Sequence, residues 1–184
     1  MSSRLHPDMT RRLLATIGTA IFLVIAPGTV AVVLPRWISG WRLQAPFLGI
    51  PLFRYAGAIL ILLGATGLAD SFARFALQGL GTPAPIFPTR HLVVSGLYRY
   101  VRNPMYVAVV SAILGQGLFL GNMPLVAYGA LVWLLLHLFV LIYEEPTLRA
   151  SFGPEYKAFS AAVPRWIPRL TPWRGLPAGA VESE

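Results

Sequence analysis

No cysteine occurs anywhere in the 184 residues. Disulfides and thiolate-held metals are thereby excluded, and the cysteine clue to redox compartment is missing. Charge is nearly as scarce: Asp, Glu, Lys and Arg together make up 12% of the chain, where a soluble domain has about 25%. Between Arg102 and Glu144 none of the four occurs. What charge there is leans to one sign, with 15 Lys and Arg against 7 Asp and Glu. A chain that is 56% hydrophobic with mean hydropathy +0.65 reads as one all-α integral membrane domain over residues 1–184. The arginines then flank spans and meet anionic headgroups. Membrane lipid, not nucleic acid, is the expected partner.

Four spans are expected. Arg4, Arg11 and Arg12 precede an apolar run over 13–34, whose 22 residues match the ~20 needed to cross the hydrocarbon core. That run exceeds the ~7–15 residues of a secretory h-region, so it reads as a retained span with a kink at Pro27-Gly28. Residues 35–54 carry Trp37 and Trp41 among Arg36, Arg42, Pro46 and Pro51, the mixture that an interface selects. A second span covers 55–75, with Asp70 and Arg74 spaced to pair along a helix. Residues 77–102 hold Gly79, Gly81, Pro83, Pro85 and Pro88 and read as a long irregular connection of functional type. From 105 to 143 the chain is too long for one span. Gly121-Asn122-Met123-Pro124 breaks it into a helical hairpin, 105–120 and 124–143, followed by a soluble tail over 144–184.

This hairpin returns Glu144-Glu145 to the face where Arg102-Asn103 begins it. That face carries 12 basic residues and the other only the 3 of the first loop, so both termini are expected in the cytoplasm of a bacterial inner membrane. At the hairpin start, Arg99 and Arg102 suit an anion, because guanidinium grips a carboxylate at two points; they equally suit a positive-inside anchor. Asn103 and Tyr106 share a helix face and suit either a ligand or a cap. Two adjacent glutamates repel and call for a cation, either Arg149 or a ligand ammonium or sulfonium. His137 lies two turns before Glu144 and is either a packing residue or a base. Gly115-Gln116-Gly117 permits close backbone approach, with helix packing as its plainest use. Anion and cation receptors on one face together suit a zwitterion.

The run from Leu92 to Tyr106, Gly115-Gln116-Gly117, Glu144-Glu145, Phe152-Gly153 with Tyr156, and Val163-Pro164-Arg165 resemble, in this order, the isoprenylcysteine carboxyl methyltransferase and phospholipid methyltransferase superfamily. The resemblance implies an integral membrane methyltransferase that uses S-adenosylmethionine and takes a lipophilic acceptor from the bilayer, with no metal. It implies a cytoplasmic cofactor site of Arg90, His91, Leu92, Val93, Tyr98, Asn103, Pro104, Met105, Tyr106, Gly115, Gly117, Glu144 and Glu145. Arg102, Asn103 and Tyr106 are then expected at the reacting centre. Arg102 would orient a carboxylate, and Arg99, chiefly an anchor, would touch the acceptor with His137. Asn103 stands where many members have histidine, which removes an imidazole base. Val140 stands where eukaryotic carboxyl methyltransferases carry arginine. Phospholipid amine methylation is therefore the competing activity, and a non-catalytic membrane protein the competing class.

Overall fold

A computed structural model describes residues 25–78, 92 and 94–175. Its ordered elements are helices α1 (Ile25–Ser39), α2 (Leu52–Gln78), α3 (Pro104–Leu120), α4 (Met123–Phe139) and α5 (Glu145–Ala162), with 3₁₀ turns at Phe47–Gly49 and Gly96–Arg99. No strand forms among the described residues. Two helical lengths, Leu52–Arg74 and the continuous rod Met123–Ala162, are long and apolar enough to cross a bilayer; α1 and α3 are apolar but shorter.

The chain is arranged around α3. It is apolar on every side, as a helix surrounded by others must be, and it packs against α1, α2 and α4. Ile113 of α3 and Leu125 of α4 are fully buried at its heart. The α2–α3 contact is a backbone contact made possible by small residues. A Cβ on Gly57 would stand 2.6 Å from the Gly115 carbonyl oxygen, and one on Gly64 would stand 2.6 Å from that of Ala108. The outward faces of α2 and α4 keep Ile59, Leu62, Leu135 and Ile142 exposed, as lipid-facing surfaces do.

Helix α1 runs to Ser39, beyond the expected end at 34, and stops where Gly40 turns left-handed at φ 59°. Gly28 is helical, and the turn before Pro27, where the expected kink would show, lies outside the described residues. The distortion is a π-turn at Thr29–Val33, in which the Leu34 N–H donates to the Thr29 carbonyl. Pro35 follows and has no N–H to give. The Val30 and Ala31 carbonyls therefore lose their helical donors and are capped from neighbouring helices. The Tyr128 hydroxyl donates to Val30 O at 2.9 Å, and Gln116 Nε2 donates to Ala31 O at 2.8 Å. Trp41 Nε1 completes the chain by donating to Gln116 Oε1 at 3.3 Å. Gln116 thus serves a helix junction, with a glycine on each side to let helices approach.

The hairpin forms as its sequence suggests. Gly121 is left-handed at φ 72°, and Asn122 Oδ1 caps α4 by accepting from the Leu125 N–H at 2.9 Å. Helix α2 is longer than expected at both ends, Leu52–Gln78. The chain also does not leave the helix at Glu144-Glu145. A second π-turn at Val140–Glu144 leads straight into α5, with Pro146 in its first turn, the same offset from the π-turn as Pro35 has from the first. Helix geometry changes only at Gly153, φ 48°, ahead of Pro154. Beyond it Tyr156, Phe159 and Val163 bury themselves against Leu92, Val94 and Trp173. The tail is accordingly part of the fold.

Candidate active site

The two glutamates occupy different surroundings, as adjacent helical residues point about 100° apart. Glu145 is 5% exposed and bound by arginines. Arg165 grips it at two points, Nε to Oε1 at 2.6 Å and Nη2 to Oε2 at 3.1 Å. Arg102 Nη1 donates to Oε1 at 3.1 Å. Arg149, the partner that helical spacing suggests, stands furthest at 3.7 Å and is 66% exposed, so solvent screens most of its contribution. Glu145 is an internal counter-ion, with its negative charge already shared among cations of the chain.

Among the described residues Glu144 has no such cations. It lies within hydrogen-bonding reach of the Tyr106 hydroxyl, and its Oε2 is buried without a hydrogen-bond partner among the described residues. Tyr98, at the end of the 3₁₀ turn, completes this wall. Burial first, then the nearby Glu144 and Asp70 charges, push its phenol pKa above the ordinary value. Asp70 itself is held by Arg74, at 2.8 and 2.7 Å, the pairing that their spacing suggests.

Arg102 joins the start of α3 to Glu145 and to the tail. Its backbone N–H donates to Pro164 O at 2.9 Å and its Nη1 also reaches the Tyr156 hydroxyl at 3.4 Å. The Nε atom is buried and unpaired among the described residues. Asn103, 8% exposed, does not cap α3 with its side chain; its Nδ2 donates instead to Arg165 O at 3.2 Å. Pro104 and Met105 are buried at the start of α3. Arg99 turns the other way, its Nε donating to Trp173 O at 2.7 Å.

Other residues singled out by sequence stand elsewhere. Gly115 and Gly117 are buried in helix contacts against Gly57 and Val126, ten or more residues up α3 from Met105 and so ~15 Å away. His137 accepts at Nδ1 from Trp166 Nε1 at 3.0 Å and stacks on Trp133 at 5.3 Å; it does not join the glutamates. Leu92 packs on the tail cluster. Arg90, His91 and Val93 lie outside the described residues. A groove of about 620 Å³ between α1 and α2, walled by Trp41, Leu68 and Phe119, does not include Glu144 in its lining. Two contributors escaped sequence reasoning. Arg165 and Tyr156 reach the Arg102–Glu145 pair from the tail, and the only hint was their place in the motif around Val163-Pro164-Arg165. Among the described residues no three His, Asp or Glu gather as metal ligands would.

The chemistry of this cluster is that of a receptor for opposite charges: a buried carboxylate oxygen awaiting a donor, an arginine with a free edge, and two phenols between elements of the hairpin and tail. Comparison with known proteins gives the family. Residues 52–155 match the family described as phospholipid methyltransferase. The chain is 34% identical over 84 residues to the cobalt-zinc-cadmium resistance protein CzcN of Cupriavidus metallidurans, covering 46% of this chain and 38% of that one. It is 35% identical over 79 residues to the protein-S-isoprenylcysteine O-methyltransferase of Schizosaccharomyces pombe, covering 43% and 34%. It is 31% identical over 120 residues to the phosphatidylethanolamine N-methyltransferase of Phaeosphaeria nodorum, covering 62% and 13%. The shared stretch is thus well under half the length of each of these relatives. Because the family match takes in more than half of the chain, from α2 through the hairpin to the glutamates and into α5, this is a membrane protein belonging to the phospholipid methyltransferase family.

Proposed function

We propose that the protein transfers a methyl group from S-adenosylmethionine to a lipophilic acceptor drawn from the bilayer. The observation that carries this reading is the buried, unpartnered Oε2 of Glu144. A buried carboxylate oxygen without a donor is costly, and the cofactor's ammonium would supply that donor. The free edge of Arg102 would take its carboxylate, and Tyr98 and Tyr106 would wall the site. Bound there, the sulfonium would supply an already activated methyl group. The chain's part is then to hold two reactants in line and exclude water. Arg102 and Asn103 are fixed for this by the tail, whose Pro164 and Arg165 carbonyls they engage. Four spans, with both termini and the site on the cytoplasmic side of a bacterial inner membrane, are supported by the 12-to-3 division of basic residues.

The relatives' names favour two acceptor chemistries, an isoprenylcysteine carboxylate and a phospholipid amine. A carboxylate needs no base. An amine must lose a proton; Glu144 is the candidate acceptor, and Nδ1 of His137 is already occupied by Trp166. Titration calorimetry of S-adenosylmethionine into detergent-solubilised protein is the test. Binding is expected, and Glu144→Gln should weaken it by about 1.5–3 kcal/mol, the worth of a hydrogen bond to a charged group. Absence of binding by the folded wild-type protein would leave a non-catalytic member of the family. Labelled methyl recovered as base-labile ester or as base-stable amine identifies the acceptor.

A further inference from the structure

We infer that Trp166–Leu170 is an interfacial anchor, inserted into the leaflet on the Glu144 side of the membrane and coupled through the tail to Arg102 and Asn103. The partner is the glycerol and upper acyl region of the bilayer. Neither the family match nor the methyl-transfer reading assigns a role to this segment, and the inference requires only that the α4 rod spans the membrane.

The argument is one of depth. Arg165 and Trp166 are neighbours in sequence, yet one reaches Glu145 and the other His137. Those two positions are eight residues apart on one continuous rod, about 12 Å along its axis. The side chains therefore diverge, one toward the membrane surface and one toward its interior, and the backbone between them stands near the level of Leu141. At that level the rod shows Leu138, Leu141 and Ile142 to the outside, with no charged residue in the preceding chain back to Arg102. Here the next turns of the tail present Ile167 at 78% and Leu170 at 99% exposure. In water both would be unfavourable. Beside a lipid-facing helix they are apolar groups placed in the apolar phase, with an indole at the boundary where tryptophan is preferred. The charged residue of the segment is tied back to the protein: the Arg169 N–H donates to Tyr100 O at 3.0 Å and its Nη1 to Ala162 O at 2.8 Å.

Insertion has a consequence for the site. The anchored segment continues from Pro164 and Arg165, whose carbonyls hold the Arg102 N–H and Asn103 Nδ2, and runs on to Trp173, whose N–H donates to Arg99 O at 2.9 Å. Lipid contact at Ile167 and Leu170 thus keeps the strap closed over 99–103.

The absence of native cysteine makes the test direct. Ile167→Cys, Leu170→Cys and, as a control on exposed α5, Glu155→Cys are labelled with a bimane and placed in nanodiscs containing lipids brominated high on the acyl chain. At 167 and 170, emission should fall about twofold or more, as for groups buried 5–10 Å at the headgroup boundary, while the control should respond to aqueous iodide. Iodide quenching at 167 and 170 with no bromine quenching would overturn the inference. In the second arm, Ile167→Asp/Leu170→Asp should speed hydrogen exchange of the Arg102, Arg169 and Trp173 amides severalfold in nanodiscs. Unchanged exchange would show that lipid contact does not hold the strap.

Discussion

Adjacent glutamates with opposite electrostatic situations should respond oppositely to the same change. In Glu145→Gln the negative charge shared by Arg165, Arg102 and Arg149 disappears. Of these, Arg102 matters most, because its side chain is only 11% exposed and cannot recover its solvation. Breaking a buried pair by removing one partner costs about 3–5 kcal/mol. Glutamine keeps one acceptor oxygen, so the lower part of that range, about 3 kcal/mol, is expected. For a chain of this length that corresponds to a fall of about 6–12 °C in Tm. Glu144→Gln instead neutralises a carboxylate whose buried oxygen has no partner among the described residues, which should leave the Tm of ligand-free protein unchanged or raised. The assay is thermal unfolding in detergent, followed by tryptophan fluorescence, with and without S-adenosylmethionine. The cofactor should raise the Tm of wild type and of Glu145→Gln, and should do little for Glu144→Gln. Equal falls for the two variants, or a larger fall at Glu144, would refute the division of roles between internal counter-ion and ligand receptor.

Other expected outcomes follow from the same geometry. Gly64→Ala would place a methyl 2.6 Å from the Ala108 carbonyl, forcing α2 and α3 apart at a cost of about 1–3 kcal/mol; an unchanged Tm would contradict the backbone contact. Arg102→Lys should lower turnover far more than Arg99→Lys, since lysine cannot reproduce the guanidinium's contacts to Glu145 and Tyr156, whereas Arg99 holds one tail carbonyl; equal losses in well-inserted variants would misplace the working arginine. Tyr98 has its pKa raised by burial and by the Glu144 and Asp70 charges, so its contribution to stability is complete below the ordinary phenol range near pH 10 and is lost as pH rises above it. Tyr98→Phe should flatten the alkaline fall in Tm, and an identical pH profile would reject that environment.

Much of this protein is written locally. A charge-free run broken by Gly121-Asn122-Met123-Pro124 folds as a hairpin because the left-handed glycine and the capping asparagine need no distant partner. The i, i+4 pairing of Asp70 with Arg74 is equally local, and the motif order by itself resembles the family. Tertiary structure decided how equivalent-looking groups divide. Helical spacing nominates Arg149 for Glu145, yet Arg165 and Arg102 win because burial strengthens an ion pair that solvent weakens at Arg149. The glycines of Gly115-Gln116-Gly117 prove to be packing surfaces and the glutamine a cap for carbonyls that Pro35 leaves without donors, a match spanning 85 residues of sequence. Periodicity also ends the last span at Glu144-Glu145, where apolar residues give out. The backbone continues through a second π-turn and Pro146, and only the tail folding back shows that one glutamate is neutralised within the chain while the other keeps an oxygen unpaired among the described residues.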